Sequence, residues 1–202
     1  MLYIIYGTVI HWLPTLLSQS VHASNSWNTY ALMLYNIAGG IAALTIGYIT
    51  DKYSRTVLRI YLLCSLGLLC MNLAGIYILL ELELINSLAL LLPFIIINGF
   101  VIMGPYSLPA AVFSVEIGGS FAVGTVCAFM DGSGNLGSAV ASYFIGLMTQ
   151  DAAESGNESS WNSVFLLMAI SAAICWVVAA FYCFLDYKRE QQINNEILLE
   201  EE

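Results

Sequence analysis

Six long stretches of apolar residues, separated by short polar segments, constrain the fold of this chain more than any other feature. A helix needs about 20 predominantly apolar residues to cross the hydrocarbon core of a bilayer. The pattern therefore predicts an all-α integral membrane protein with six transmembrane helices, followed by an acidic tail over residues 188–202. The predicted spans are residues 2–17, 27–49, 57–80, 88–113, 121–148 and 161–185.

The composition agrees with membrane insertion. Of the 202 residues, 59% are hydrophobic and 9% are charged, whereas a soluble domain carries about a quarter charged residues. Five residues are Lys or Arg and the formal net charge is −9, so the basic surface of a nucleic-acid-binding protein is absent. The five cysteines lie in apolar spans without a CxxC spacing, which is typical of embedded thiols rather than metal ligands. We therefore expect the lipid bilayer as a partner, and neither nucleic acid nor a metal or other cofactor.

Basic residues mark two loops as cytoplasmic. Lys52, Arg55 and Arg59 follow the second span, and Lys188 and Arg189 follow the sixth. Short loops that carry Lys and Arg stay on the cytoplasmic side of a membrane. Both groups follow an even number of crossings, so the sequence predicts that both chain ends are cytoplasmic.

The loop after the fifth span is predicted to lie on the opposite side. It contains the acceptor sequence Asn157-Glu158-Ser159, which makes Asn157 a candidate for N-glycosylation. Glycosylation occurs on the lumenal or extracellular side, so this position agrees with the topology. We expect a multi-pass protein of the plasma membrane or of an endomembrane.

Asp131 is the outstanding polar residue of the predicted spans. It lies about ten residues into the fifth span, roughly 15 Å deep at 1.5 Å per residue. An ionisable side chain at that depth is costly and marks a functional site by default. Helical spacing places Asn135, Ser138 and Ser142 on nearly the same face. Two interpretations of Asp131 remain open. It takes part in ion coupling or substrate contact, or it is a structural carboxyl group that is hydrogen-bonded between helices.

Other polar residues of the spans are weaker candidates for a cavity lining. His11 has Thr8 and Thr15 on the same side of the first span. A histidine there carries a proton or contacts an anion, or it is a neutral side chain hydrogen-bonded to another helix. Single Asn and Tyr residues in membrane helices also serve as contacts between helices. Both interpretations, a cavity lining and a contact between helices, remain open for Tyr35, Asn36, Asn98 and Tyr106.

No catalytic motif occurs in the sequence. The HExxH, GxSxG and GxxxxGK[ST] patterns are all absent. The segment from Glu116 to Gly119 is predicted to be a turn between spans rather than a site. We therefore expect that the chain is not an enzyme.

The basic segment after the second span resembles a known loop motif. Gly47, Asp51, Lys52 and Arg55 match the G-x-x-x-D-R/K-x-G-R/K pattern of major facilitator superfamily transporters, with Ser54 in place of the second glycine. In that superfamily the motif lies between the second and third helices of each six-helix half. The motif has the same position in this chain.

Further segments resemble one branch of the superfamily, the organophosphate:phosphate antiporters, which include glycerol-3-phosphate and sugar-phosphate transporters. His11–Leu17 is similar to the W-x-P-T-x-L segment of their seventh helix. Asn98–Tyr106 and Asp131–Gly137 are similar to later segments. One position departs from the branch, because Ile5 stands where its members carry an arginine that contacts substrate phosphate. Either the other half of the transporter supplies the positive charge, or the substrate differs. His11, further along the same helix, is a candidate substitute for the arginine.

The resemblance implies the second half of a twelve-helix major facilitator fold, and the short first span fits a helix cut at its start. It also implies that the solute binds near the midplane between two pseudo-symmetric halves. Spans one, two, four and five would line the cavity. The segment with Gly47, Asp51, Lys52, Arg55 and Arg59 would form charge pairs that break as the halves part.

The function implied by this resemblance is secondary active transport of a small anionic, organophosphate-like solute by alternating access. The implied partners are a missing N-terminal six-helix half or a second copy of the chain, with phosphate or a proton as counter-ion. The alternative is a non-transporting six-helix scaffold or regulatory protein, or a truncated fragment. A scaffold would need neither Asp131 nor His11 inside the membrane.

Overall fold

The computed structural model describes most of the chain as helix. The described residues are 1–21, 23–82, 88–108, 112–155 and 160–200. Within these ranges the structure is all-helical, as the apolar pattern predicts. Helices are expected in a membrane because each helix satisfies its backbone hydrogen bonds within its own segment, whereas lipid offers no hydrogen-bond partners.

The described residues form six helices in the predicted order. They are α1 Leu2–Ser20, α2 Asn25–Lys52, α3 Arg55–Glu81, α4 Leu88–Leu108, α5 Ser114–Ser155 and α6 Ser160–Glu200. The predicted six-helix fold class is confirmed. Four segments are long and apolar enough to cross a membrane, namely Asn25–Lys52, Arg55–Glu81, Leu88–Leu108 and Trp161–Gln192. The other two helices, α1 and α5, carry the polar residues on which the candidate site is built.

The turn between α2 and α3 is tight, and it places the basic segment at one end of the bundle. Helix α2 ends at Lys52, and the extended residues Tyr53 and Ser54 reverse the chain. Helix α3 then begins at Arg55. Lys52 and Arg55 therefore lie at the same end of two neighbouring helices.

The helix bounds differ from the predicted spans most in α5 and α6. Helix α4 is described as far as Leu108, and residues 109–111 of its predicted span lie outside the described residues. Helix α5 begins at Ser114 rather than at residue 121, and it is bent at Gly119, whose φ is 56°. Glu116 therefore lies in a helical turn, and the prediction of a loop turn there is wrong. Helix α6 continues to Glu200, so the predicted tail is helical over residues 188–200.

The helices pack in pairs around an apolar core. Helix α2 lies against α4, α3 lies against α6 and α4, and α1 lies against α5. The largest fully buried side chains include Tyr35, Leu69 and Ile102. At Gly99 the backbones of α2 and α4 come so close that a Cβ atom would collide with the carbonyl oxygen of Tyr35. Small residues allow this close approach of membrane helices.

Candidate functional site

Asp131 faces helix α1, where it meets a tyrosine hydroxyl. The hydroxyl of Tyr3 donates a hydrogen bond to one carboxylate oxygen of Asp131. The Sγ atom of Cys127, one turn earlier on α5, lies 3.8 Å from the other oxygen. Asp131 is half-buried. Its carboxylate therefore has two neutral partners from two helices.

Glycines bring α1 and α5 close enough for this contact. A Cβ atom at Gly134 would collide with the ring of Tyr3, and one at Gly7 would collide with the hydroxyl of Ser138. The two helices therefore touch along a seam of small residues. Because Gly134 lies one turn after Asp131, the seam positions the Tyr3 ring directly beside the carboxylate.

Three further tyrosines extend the contact to α2 and α4. The ring centroid of Tyr106 lies 4.5 Å from that of Tyr3 and 4.5 Å from that of Tyr6. The Tyr6 ring stacks on Tyr35 with the centroids 6.4 Å apart. We call Tyr3, Tyr6, Tyr35, Tyr106 and Asp131 the tyrosine–aspartate cluster. It joins α1, α2, α4 and α5, the four helices that the resemblance assigns to a cavity.

Among the described residues no Lys or Arg side chain forms an ion pair or cation–π contact with the tyrosine–aspartate cluster. All five basic residues lie at the α2–α3 turn and near the end of α6, as Lys52, Arg55, Arg59, Lys188 and Arg189. His11 is exposed on α1, eight residues after Tyr3 and thus about 12 Å further along the helix. The other histidine, His22, lies outside the described residues. The cluster is thus anionic whenever Asp131 is ionised.

Asn98 belongs to a different contact. It is buried, and its Nδ2 donates to Oδ1 of Asn72 at 3.3 Å, which joins α4 to α3. Of the two interpretations of Asn98, this geometry supports a contact between helices.

The remaining predicted site residues are not brought together. Asn36 is exposed and donates to the carbonyl of Leu32 in its own helix, at 2.9 Å. Asn135 is exposed on α5. Thr15 is half-buried, and its carbonyl accepts a bond from Ser18. Asn157 lies outside the described residues.

A second polar region lies at the basic end of the bundle. Arg55 contacts Glu116 at 2.7 Å and Asp186 at 3.3 Å. Arg59 contacts Asp186 at 2.6 Å and Glu190 at 2.7 Å. We call these five residues the arginine network. It ties α3 to the first turn of α5 and to α6.

The two arginines differ in exposure. The side chain of Arg55 is 58% exposed, whereas that of Arg59 is 9% exposed. Exposed ion pairs contribute little to stability, but breaking a buried pair leaves an uncompensated charge. The Arg59 contacts are therefore structural, and the Arg55 contacts can exchange with solvent at low cost.

The other motif residues project away from the bundle. Gly47 and Asp51 are both exposed and lie one turn apart on α2. Within the described ranges Asp51 makes no ion pair. Lys52 is exposed and donates to the hydroxyl of Tyr48 at 2.7 Å. This face of α2 is open to a further protein surface.

Several residues of both regions were missed by sequence reasoning. Tyr3 and Cys127 carried no signal of their own, and the pairing of Tyr3 with Asp131 spans 128 positions of the chain. Asp186 and Glu190 follow an apolar span directly, and this position at a membrane boundary was the available signal for an ion pair. Among the described residues no group of three or more His, Cys, Asp or Glu side chains could hold a metal ion.

A groove of about 1250 Å³ connects the two regions. It is lined by Tyr3 and Tyr106 of the tyrosine–aspartate cluster and by Arg55, Glu116 and Asp186 of the arginine network. Its walls come from α1, α3, α4, α5 and α6 and are mostly apolar. Pockets of this size accommodate small molecules.

Comparison with known families decides the class of this bundle. Residues 1–199 match the model of the Major Facilitator Superfamily. The chain belongs to the major facilitator superfamily. Because members of this superfamily are transporters and not enzymes, the prediction that the chain is not an enzyme is confirmed.

Relatives of this major facilitator chain include proteins of the predicted branch. A glucose-6-phosphate exchanger, SLC37A2 of Mus musculus, is 27% identical over 90% of the chain and 34% of its own length. The putative glycerol-3-phosphate transporter 5 of Arabidopsis thaliana is 23% identical over 81% of the chain and 33% of its own length. Sugar phosphate exchanger 3 of Bos taurus is 24% identical over 92% of the chain and 37% of its own length. The resemblance to the organophosphate:phosphate antiporters is confirmed as a distant homology.

The chain spans about a third of the length of the curated relatives that it matches. No solved structure matches this major facilitator chain.

Proposed function

We propose that the chain acts in secondary active transport of a small solute by alternating access. The observation that carries this proposal is the tyrosine–aspartate cluster, an ionisable side chain and four tyrosines shared by four helices of an apolar bundle. An intramembrane carboxylate is costly unless it has a role in transport or coupling. A non-transporting scaffold needs no such group.

The solute class comes from the relatives, whose names refer to glycerol-3-phosphate, glucose-6-phosphate and sugar phosphate. We propose an organophosphate-like solute, with phosphate or a proton as the counter-ion. The cluster itself supplies no positive charge for a phosphate group. The cationic contact must then come from another surface of the transporter.

The partner that would supply this surface is an N-terminal six-helix half, or alternatively a second copy of the chain. Two observations support a second half. The chain spans about a third of its relatives, and Asp51 is exposed without an ion pair among the described residues. Transporters of this type bind solute between two related halves.

We propose that the arginine network is the conformational lock of this half. Arg55 holds the first turn of α5 through Glu116, and the exposure of this pair makes it easy to break. Movement of α5 would then separate Arg55 from Glu116 while Arg59 keeps α3 and α6 together. By the distribution of Lys and Arg, this end lies on the cytoplasmic side of a plasma membrane or endomembrane, as does the C-terminus.

The proposal is tested by uptake of labelled glycerol-3-phosphate into proteoliposomes loaded with phosphate. The protein is isolated from its native membrane with whatever partner accompanies it. The variant is Asp131→Asn, and its control is Asp151→Asn, the same substitution 20 residues later on α5 and about 30 Å away. We expect Asp131→Asn to reduce uptake or change its pH dependence while the control transports normally. Equal uptake by both variants would leave the scaffold alternative.

A further inference from the structure

The tyrosine–aspartate cluster combines a carboxylate with the electron-rich faces of aromatic rings. The ring centroid of Tyr106 lies 4.5 Å from those of Tyr3 and Tyr6, and the Tyr3 hydroxyl contacts Asp131. A ring face carries partial negative charge and attracts ammonium groups. Both components of the cluster therefore favour positive charge and disfavour phosphate.

We propose that the tyrosine–aspartate cluster binds an ammonium group of the transported solute. This inference rests on the proposed transport function and assigns the part of the solute that this chain contacts. The ligand class is an organic ammonium, either a primary amine or a quaternary one. In an amine-bearing organophosphate the phosphate group would contact a different surface.

The charge of Asp131 is the first argument. Every other carboxylate described in the site, on Glu116, Asp186 and Glu190, contacts an arginine. Among the described residues, Asp131 contacts a hydroxyl and a thiol. No Lys or Arg side chain in the described part of the chain forms an ion pair with Asp131, so its charge is left for a ligand to neutralise.

Electrostatic sign is the second argument. The attraction or repulsion of two charges at contact distance is several-fold stronger in a protein interior than in water. A phosphate beside Asp131 would be repelled, and no Lys or Arg of the described residues pairs with Asp131 to offset that repulsion. An ammonium group would be attracted by the carboxylate and by the neighbouring tyrosine rings.

Access is the third argument. Tyr3 and Tyr106 line the mostly apolar groove, and so does Met130, which directly precedes Asp131 in the sequence. Asp131 is half-buried rather than sealed in the core. A small ammonium compound with an apolar body can therefore reach the cluster from the groove.

The test measures binding of tetramethylammonium, with and without inorganic phosphate, by isothermal titration to the detergent-purified protein with the partner that accompanies it from its native membrane. We expect tetramethylammonium to bind the unmodified protein and phosphate not to displace it. Asp131→Asn should weaken ammonium binding by about tenfold or more, because the charge is lost. The matched control Asp151→Asn should bind as the unmodified protein does.

Ring variants keep the proposal falsifiable if Asp131→Asn misfolds. Tyr106→Leu removes a ring that contacts two others and should weaken binding about fivefold to tenfold. Tyr143→Leu changes an exposed ring of α5 that contacts Phe144 and should have no effect.

Failure of this inference can be told apart from failure of the transport proposal. If ammonium fails to bind, or binds equally to the Asp131→Asn and Tyr106→Leu variants, the inference is overturned even where Asp131-dependent uptake is measured. If ammonium binding depends on Asp131 and Tyr106 while no uptake of any solute occurs, the binding site stands and the transport proposal falls.

Discussion

The guanidinium of Arg59 lies 2.6 Å from the carboxylate of Asp186, and this pair joins α3 to α6. Both side chains are at least 85% shielded from solvent, at 9% and 15% exposure. Loss of Asp186 would leave the shielded Arg59 with Glu190, whose side chain is 43% exposed, as its remaining ion-pair partner. A shielded arginine that has lost its more shielded partner is poorly compensated, so the loss is costly.

Asp186→Asn should therefore destabilise the bundle by about 3 kcal/mol. Arg55→Gln is the control, because the Arg55 side chain is 58% exposed and its loss should cost less than about 1 kcal/mol. Unfolding in mixed micelles with increasing denaturing detergent measures both variants. If the two variants lost equal amounts of unfolding free energy, the structural role would not be confined to Arg59 and Asp186.

Gly134→Ala should destabilise the contact of α1 with α5 by about 1–3 kcal/mol, because the new methyl group overlaps the Tyr3 ring. Gly132→Ala is the matched control two residues earlier, where no atom lies within 4 Å of the new Cβ. There the substitution should stabilise the helix by about 0.5–1 kcal/mol. Thermal unfolding of the two variants in the same detergent should show shifts of opposite sign.

Gly99→Ala tests the approach of α2 to α4. The new Cβ would collide with the backbone carbonyl of Tyr35, which cannot move aside as a flexible side chain does. We expect a loss of about 2–3 kcal/mol, near the upper end for overpacking. Gly40→Ala, on an open face of α2, should lack this cost. A tolerated Gly99→Ala would mean that the two helices lie further apart.

The buried Asn72–Asn98 bond should show measurable coupling between α3 and α4. Hydrogen bonds between membrane helices average about 0.6 kcal/mol in double-mutant cycles. Replacing Asn98 alone with Leu should cost more than replacing both residues, because the single variant leaves the Asn72 amide unpaired. A cycle of Asn72→Leu, Asn98→Leu and the double variant measures the coupling, and additive effects would rule the bond out.

The proposed topology predicts opposite labelling of two loops. In a background with all five cysteines replaced by alanine, Lys52→Cys should react with an impermeant maleimide only from the cytoplasmic side. Asn157→Cys should react only from the other side. Labelling of both positions from one side would overturn the proposed orientation.

The sequence was sufficient for the number and order of the helices, because each apolar stretch is long enough to identify a span without knowledge of its neighbours. It also identified Asp131, since a lone carboxylate stands out against apolar residues. The partners of Asp131 could not be predicted, because Tyr3 is 128 positions away and only packing along Gly134 brings it close. The same applies to Arg59 and Asp186, which are separated by 127 positions.

Boundaries were harder to predict where hydropathy and helical geometry diverge. The segment before Phe121 is polar enough to resemble a loop, yet Glu116 lies in a helical turn that is separated from the rest of α5 only at Gly119. Hydropathy indicates whether a segment lies in lipid or in water. Helix formation depends instead on backbone hydrogen bonds, which form in either environment. The acidic end of α6 is helical for the same reason.

The bend at Gly119 means that α5 is not a single rigid rod. Residues 114–118 carry Glu116, and the longer part beyond the bend carries Asp131. Glycine is the residue that adopts a positive φ without steric cost, so a change of angle is absorbed at this one position. The short part and the longer part of α5 therefore run in different directions. Under the proposed transport function, Gly119 is the residue through which a movement of the longer part reaches the Arg55–Glu116 pair.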